Sequence, residues 1–351
     1  MEDNELKIKI VKNIKENIAV SNIRKELDMD KVKDRKIFYK VVLAACAMFV
    51  ISAVIITNNI SLDNNTQNDD IEIDKKDKVT ISSIDGIKVP KLEITEPSAT
   101  EEMCMAYAYI AYNGKFYTSA ESISIDNKDN LIGEYLGEMK NVLNEYFESD
   151  YYKNATSTGL PHLKEFMEEE MIKNPNIILG ERSGKAYKVK GYNTDFRICY
   201  LDEVNNQITI YERLNDITLK YGKDLYEERL KLKENYDFVE YQYHQDWDCG
   251  KNSFRKFSEV TTKDIEQFIN EINNAEFIEG TNLDFYSLKK KQAHLYFRMK
   301  DGTTVNIRLN EDGYVNYSGW SERIFVKIDT DTFEKIFNEA TPENYTYSTG
   351  K

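Results

Sequence analysis

The longest apolar run in the chain lies near its start. From Val41 to Ile56 every residue is apolar or small, with Ser52 the sole hydroxyl. Adding Ile37, Phe38 and Tyr39 gives roughly 20 residues, the length at which a helix crosses the hydrocarbon core of a bilayer. The spacing therefore predicts one transmembrane helix over 37–57. Lys31, Lys33, Arg35, Lys36 and Lys40 crowd its N-terminal edge, while its C-terminal side carries Asp63, Asp69, Asp70, Glu72 and Asp74 before the first cation, Lys75. Lys and Arg near a span stay on the cytoplasmic side, so the N-terminus is expected inside and the large C-terminal part outside. The run ends in Ile-Ile-Thr-Asn-Asn rather than an A-x-A site, which favours an uncleaved signal anchor over a cleaved signal peptide.

Periodicity divides the rest. In the head, residues 1–36, Leu6, Ile10, Ile14 and Ile18 recur every four residues among Lys and Glu, an amphipathic helical stripe. Residues 58–100 lack aromatics and read as a polar linker, with Val79, Ile81, Ile84, Ile87 and Val89 offering an edge strand.

Residues 101–233 form a first exterior unit. Met103 to Tyr112 alternates with period two, Asn113-Gly114 turns it, and Lys115 to Thr118 returns. Gly133 and Gly137 bracket a turn-rich stretch. Leu160 to Lys173 is a charged amphipathic helix, followed by strands at Ala186 to Tyr192, Phe196 to Leu201 and Gln207 to Leu214, and a closing helix from Asp224 to Lys233.

Residues 234–343 form a second unit before a polar tail, 344–351. Phe238 to Tyr243 is a strand. Thr261 or Thr262 caps a helix whose face is Ile265, Phe268, Ile269 and Ile272. Four alternating runs follow, punctuated by Asp301-Gly302 and Asp312-Gly313: His294 to Met299, Thr304 to Leu309, Tyr314 to Ser318 and Ile324 to Ile328. A last helix carries Phe333, Ile336 and Phe337. The expected fold class is α+β: N-terminal cytosolic helices, one transmembrane helix, and an exterior part of two antiparallel-sheet-plus-helix units.

Charge narrows the partners. The 351-residue chain carries a formal net charge of −14; its first 40 residues hold 11 Lys and Arg against 8 Asp and Glu, which leaves about −17 for the remainder. An acidic exterior repels phosphate backbones, so nucleic acid is not an expected partner. Cys46 lies in the apolar run, and Cys104, Cys199 and Cys249 are far apart, so no disulfide framework is implied.

The chemistry is sparse. His244, Asp246 and Asp248 beside Trp247 form a short acid and imidazole cluster that offers a metal or general-base site, but no further ligand stands at a recognisable spacing. The bland alternative is a loop with a satisfied imidazole. The three histidines, His162, His244 and His294, are isolated from one another in sequence. Glu168, Glu169 and Glu170 read as a solvated helix face. Tyr107, Tyr109, Tyr112, Tyr314 and Tyr317 offer an aromatic sugar-binding strip, against the commoner reading of half-buried strand tyrosines. The sequence contains no HExxH, GxSxG, P-loop or Rossmann glycine pattern, so no enzyme, cofactor or metal site is expected.

The head KIVKNIKENIAVSNIRKELDMDKVKDRKIFYKVV, with one span and an acidic exterior, resembles clostridial single-pass membrane proteins of the anti-sigma-factor-like group. AYKVKGYNTDFRICY and LYFRMKDGTTVNIRLNEDGYVNY resemble their exterior domains. The chain lacks the zinc signature of zinc-type anti-sigma domains and the HExxH of related membrane peptidases. The resemblance implies a membrane-tethered regulator. Its exterior would bind an envelope ligand or protein, and its cytosolic stripe Leu6, Ile10, Ile14 and Ile18 would bind a partner such as a sigma factor. The alternative is a passive envelope protein held to the lipid bilayer through residues 37–57.

A partner seated on that stripe would bind helix-in-groove. Ile14→Asp in the full chain is then expected to abolish capture of the cytosolic partner in a pull-down. Equal capture by the native and variant chains would exclude this docking mode.

Overall fold

The computed structural model describes residues 85–92, 109–153, 162–280, 290–319 and 324–344. The expected cytosolic helices of the head, the stripe Leu6, Ile10, Ile14 and Ile18, and the apolar run 37–57 lie outside these residues.

The chain opens with β1 (Ile87–Val89), which pairs with a later strand, Ile217–Leu219, in a two-stranded antiparallel ribbon. Next come β2 (Tyr109–Tyr112) and β3 (Lys115–Ser124), joined at Asn113-Gly114. Both turn residues have positive φ, 51° and 70°, the two-residue hairpin geometry whose twist matches that of the strands it joins. β4 (Ile132–Asn141) runs through the stretch expected to be turns. Gly137 explains how: its φ of +152° falls at a break in register with the neighbouring strand, so it marks a bulge within a continuous strand.

Helix α1 (Leu163–Lys173) and β5 (Ile178–Gly180) follow. Then come β6 (Gly184–Val189), β7 (Arg197–Asp202), β8 (Gln207–Glu212) and β9 (Ile217–Leu219). Strands β2 to β8 close into a seven-stranded barrel in the order β2-β3-β8-β7-β6-β4-β5. β5 completes the closure, pairing antiparallel to β2 and parallel to β4. A parallel pair cannot be joined by a tight turn, and the chain between β4 and β5 accordingly passes through α1. The barrel interior is filled by side chains from all seven strands: Ile110, Tyr117, Met139, Ile178, Ala186, Ile198, Tyr200 and Tyr211.

A second sheet follows. Its elements are β10 (Tyr236–Tyr243), α2 (His244–Asp248), β11 (Arg255–Lys256), α3 (Thr262–Asn274), β12 (Phe277–Glu279), β13 (Gln292–Met299), β14 (Thr304–Asn310), β15 (Tyr314–Tyr317), β16 (Ile324–Lys327) and α4 (Asp331–Glu339). The strand order is β11-β10-β13-β14-β15-β16-β12, and each adjacent pair is antiparallel. Thr261 caps α3 with a reciprocal box: its hydroxyl accepts the Asp264 N–H, and the Asp264 carboxylate accepts the Thr261 N–H. Gly313 is required at its turn. Its φ is +84°, and a β-carbon there would stand 2.2 Å from the Ile328 carbonyl oxygen.

Period-two alternation gives the sheet two faces. Ala293, Leu295, Phe297 and Met299 of β13, with Val305, Ile307 and Leu309 of β14, join one buried cluster with Phe268 and Ile272 of α3 and Phe333 and Ile336 of α4. The barrel contributes the outward side chains Cys199, Leu201, Ile208 and Ile210 to the same cluster. Barrel, helices and sheet therefore share a core, and the described residues all belong to one compact unit.

The expected fold class is corrected on two points. Among the described residues no helix is long and apolar enough to cross a membrane. The first unit is a closed barrel with a parallel pair, not an antiparallel sheet with helices packed on it. The cause is β5, whose three residues complete a cylinder that six strands leave open.

One ion pair is enclosed where barrel meets sheet. Arg197 and Glu212 face each other across β7 and β8, each 1% exposed. The Arg197 Nε donates to Glu212 Oε1 at 3.0 Å, and Tyr317 of β15 donates its hydroxyl to Glu212 Oε2 at 2.9 Å. Removing one member strands the other charge without water, a loss of about 3–5 kcal/mol, whereas replacing both with apolar groups is often neutral. Glu212→Leu is thus expected to lower the unfolding free energy by about that amount, and Arg197→Met with Glu212→Leu to restore most of it. Denaturant titration of the native chain, Glu212→Leu, Arg197→Met and the double variant checks this; an additive double variant would refute it.

Candidate functional site

The other face of the sheet is polar. Gln292, His294, Tyr296 and Arg298 of β13 alternate with the core residues just named, and Asn306 and Arg308 of β14 lie beside them. Helix α2 starts directly after β10 and lays His244 and Trp247 over this face. His294 is fully buried and His244 nearly so, while Trp247 and Arg308 are half-buried.

Three rings stack there. The His244 and His294 planes lie within 8° with centroids 5.3 Å apart, and Trp247 lies 4.6 Å from His294 at 17°. The Arg308 guanidinium carbon stands 4.5 Å from the Trp247 ring, so the indole meets an imidazole and a cation. His244 Nδ1 and His294 Nε2 are 3.1 Å apart, a hydrogen bond in which one ring donates and the other accepts. That geometry needs the accepting ring to be neutral. Burial, then the nearby Arg308 charge, lowers the His244 imidazole to about 4 and holds His294 well below its ordinary range, the latter also through His244.

The surroundings brace the stack. Tyr296 donates its hydroxyl to Gln242 Oε1 at 2.8 Å, and the Gln242 amide donates to the Lys251 carbonyl, which ties down the chain after α2. Asp246 accepts from Arg255 at 2.8 Å and from Lys251 at 3.1 Å. The Ser253 hydroxyl beside it, followed by Arg255 and Lys251, lowers its carboxyl to about 2. Arg298 stacks 4.6 Å from Phe254, donates to Glu240 Oε2 at 3.1 Å and to the Thr304 hydroxyl at 3.1 Å. Phe254 and Phe238 stay 38% and 44% exposed, so an aromatic margin reaches solvent beside the stack.

The structure redistributes the residues singled out in the sequence. The cluster His244, Asp246 and Asp248 does not converge: His244 turns inward to His294, Asp246 turns to cations, and Asp248 is exposed. Among the described residues no group of three or more His, Cys, Asp or Glu is placed to hold a metal ion. His244 and His294, read as isolated, are hydrogen-bonded partners separated by 50 residues. Glu169 and Glu170 pair with Lys173 along α1. Tyr109, Tyr314 and Tyr317 are buried and line no exposed strip; Tyr107 lies outside the described residues. Cys199 is a buried free thiol and Cys249 an exposed one. Sequence reasoning missed His294 and Arg308 as members of the site. The signal was the polar half of the β13 and β14 alternation, next to the one described indole.

No family model, no curated protein and no solved structure matches the chain.

The imidazole pair gives the unit an acid limit. Unfolded histidine takes up a proton near 6.5, whereas His244 does so only near 4. Between those values the unfolded chain holds more protons, so stability falls as pH falls through that window. Thermal melts of the full chain from pH 7 to 4.5 should show this loss. His244→Asn with His294→Gln, less stable at pH 7, should show a smaller further loss; an equal loss would show that the pair is not its source.

Proposed function

We propose that the chain is a membrane-tethered regulator whose barrel-and-sheet unit recognises a ligand of the cell envelope on the polar face of the sheet. The observation that supports this reading best is Trp247. Its indole lies flat against His294, with the Arg308 guanidinium 4.5 Å from its ring, while remaining half-exposed. A rigid aromatic face bordered by neutral hydrogen-bonding groups suits a hydroxyl-rich ring such as a sugar. Those groups are present: Asn306 accepts from the Ser318 hydroxyl at 3.2 Å, and both side chains are half-buried. Phe254 extends the apolar part of the surface. The neutral imidazoles add no charge, and the acidic balance of the chain disfavours anionic polymers.

Tethering is supported by the apolar run from Val41 to Ile56 and the cations before it. A cytosolic partner would take the stripe Leu6, Ile10, Ile14 and Ile18, which makes exterior binding and cytosolic release two ends of one molecule. The resemblance to anti-sigma-factor-like proteins supports the same division of labour.

The test is binding of the full chain to purified envelope polysaccharide, read by co-sedimentation. Trp247→Ala removes a stacking ring and is expected to weaken binding by about 1–2 kcal/mol, roughly tenfold, with Phe254→Ala weaker in effect. Native binding that survives Trp247→Ala unchanged would move recognition off this face. No binding by the native chain to any envelope polymer would favour the passive anchored protein.

A further inference from the structure

Trp247 begins a series on the polar face. His294, Tyr296 and Arg298 stand at alternate positions of β13, so their side chains rise from one side of the sheet at levels about 7 Å apart. The register with β10 sets Gln242, Glu240 and Phe238 beside them in that order. Trp247 lies at the first level, 4.6 Å from His294. Phe254, in the chain between α2 and β11, comes next. Its ring meets Tyr296 edge to face at 4.8 Å, and the Arg298 guanidinium carbon stands 4.6 Å from it. Phe238 stands at the third level, directly across from Arg298, with the Lys256 ammonium 5.8 Å from its ring.

Three aromatic side chains therefore follow one strand, and each reaches solvent: Trp247 is half-buried, Phe254 and Phe238 are exposed. From the level of His294 to that of Arg298 the strand advances by about 14 Å, more than one sugar ring covers. Hydrogen-bonding groups run parallel to the series. Asn306 lies opposite Tyr296 and Thr304 opposite Arg298, and Ser318 bonds to Asn306. The cations beside the series are matched by carboxylates of the same chain: Arg298 bonds Glu240, and Arg255 and Lys251 bond Asp246. Exposed apolar surface rimmed by polar groups marks an interaction site. Here apolar faces and neutral polar groups recur along a line, which suits an uncharged chain of hydroxylated rings.

We infer that the polar face binds an uncharged, unbranched glycan chain of three or more units laid along β13, with Trp247, Phe254 and Phe238 as successive contacts. The inference rests on the reading of this face as a sugar-binding surface and adds the length, direction and charge of the ligand.

A monosaccharide meets one aromatic ring at a time. In a chain, the first contact holds the next unit beside its own ring, so each further contact adds affinity without a new loss of translational freedom.

Calorimetric titration of the full chain with chitooligosaccharides, and in parallel with cello-oligosaccharides, of one to six units tests this. In at least one series, affinity is expected to rise about fivefold with the second unit and again with the third, then to level off. Phe254→Ala and Phe238→Ala change exposed positions, so the fold is retained. Each should remove one of the two gains and leave monosaccharide binding unchanged. Trp247→Ala should weaken every length by the same factor. Affinity independent of length, a length dependence that survives both phenylalanine variants, or no binding in either series would overturn the inference. Co-sedimentation with envelope polysaccharide separates its failure from that of the underlying reading. Polymer binding that depends on Trp247, found with any of those three results, leaves the sugar-binding face standing and removes only the extended chain. Polymer binding that is absent or indifferent to Trp247 removes both.

Discussion

The enclosed Arg197–Glu212 pair is the constraint on which the join between barrel and sheet depends. Two enclosed charges are tolerable when fixed neighbours supply most of their hydrogen bonds, and here all but the Arg197 Nη1 of the pair are met. Here the neighbours come from both sides. β7 and β8 supply the pair, the Tyr192 ring lies 4.3 Å from the guanidinium, and β15 reaches across with the Tyr317 hydroxyl. Burial, followed by the Glu212 charge, drives the Tyr317 phenol well above its ordinary range, so it remains a donor. Apolar packing alone would let the two parts slide. The directional bonds of this cluster set their register, and Glu121 to Thr304 extends the same seam by one strand.

The two-sidedness of the sheet follows from the same need. A barrel buries its inner face by closing on itself, so only its outer face can contribute to a shared core. Cys199, Leu201, Ile208 and Ile210 do so against the face that α3 and α4 also cover. The barrel wall and the two helices are thereby drawn to one side of the sheet. The opposite face keeps Gln292, His294, Tyr296, Asn306 and Arg308, and these must satisfy one another or find a ligand. Hydrogen-bonded imidazoles, a stacked indole and a tyrosine-to-glutamine bond are the local solution.

What was readable in the sequence divides along local and non-local lines. Strands β6 to β8 and β13 to β16 fall within three residues of the positions their alternation predicts, and Thr261 caps α3 where the capping residue stood in the sequence. These rest on neighbours a few residues apart. The barrel was not legible. β4 carries two glycines that read as turn signals yet serve a bulge, and β5 is too short to show a period. The histidine pair was hidden for a similar reason. His244 and His294 meet because β10 and β13 pair with Gln242 opposite His294, a register that no local pattern encodes.

Arginine, scarce beside lysine in this acidic chain, is placed where stacking matters. Arg197 lies 4.3 Å from Tyr192, Arg255 4.0 Å from Tyr243, Arg298 4.6 Å from Phe254 and Arg308 4.5 Å from Trp247. The lysine contacts with rings are longer, from 5.1 Å at Lys327 to 5.9 Å at Lys231. A guanidinium is planar and weakly hydrated, so it lies on a ring and still donates in its own plane, whereas an ammonium keeps its water. Arg298 does both, stacking on Phe254 while bonding Glu240 and Thr304. Arg197 does both inside the seam. The same device thus holds the join on one face of the sheet and supports the aromatic surface on the other. A lysine at any of these four positions would retain the charge and lose the contact.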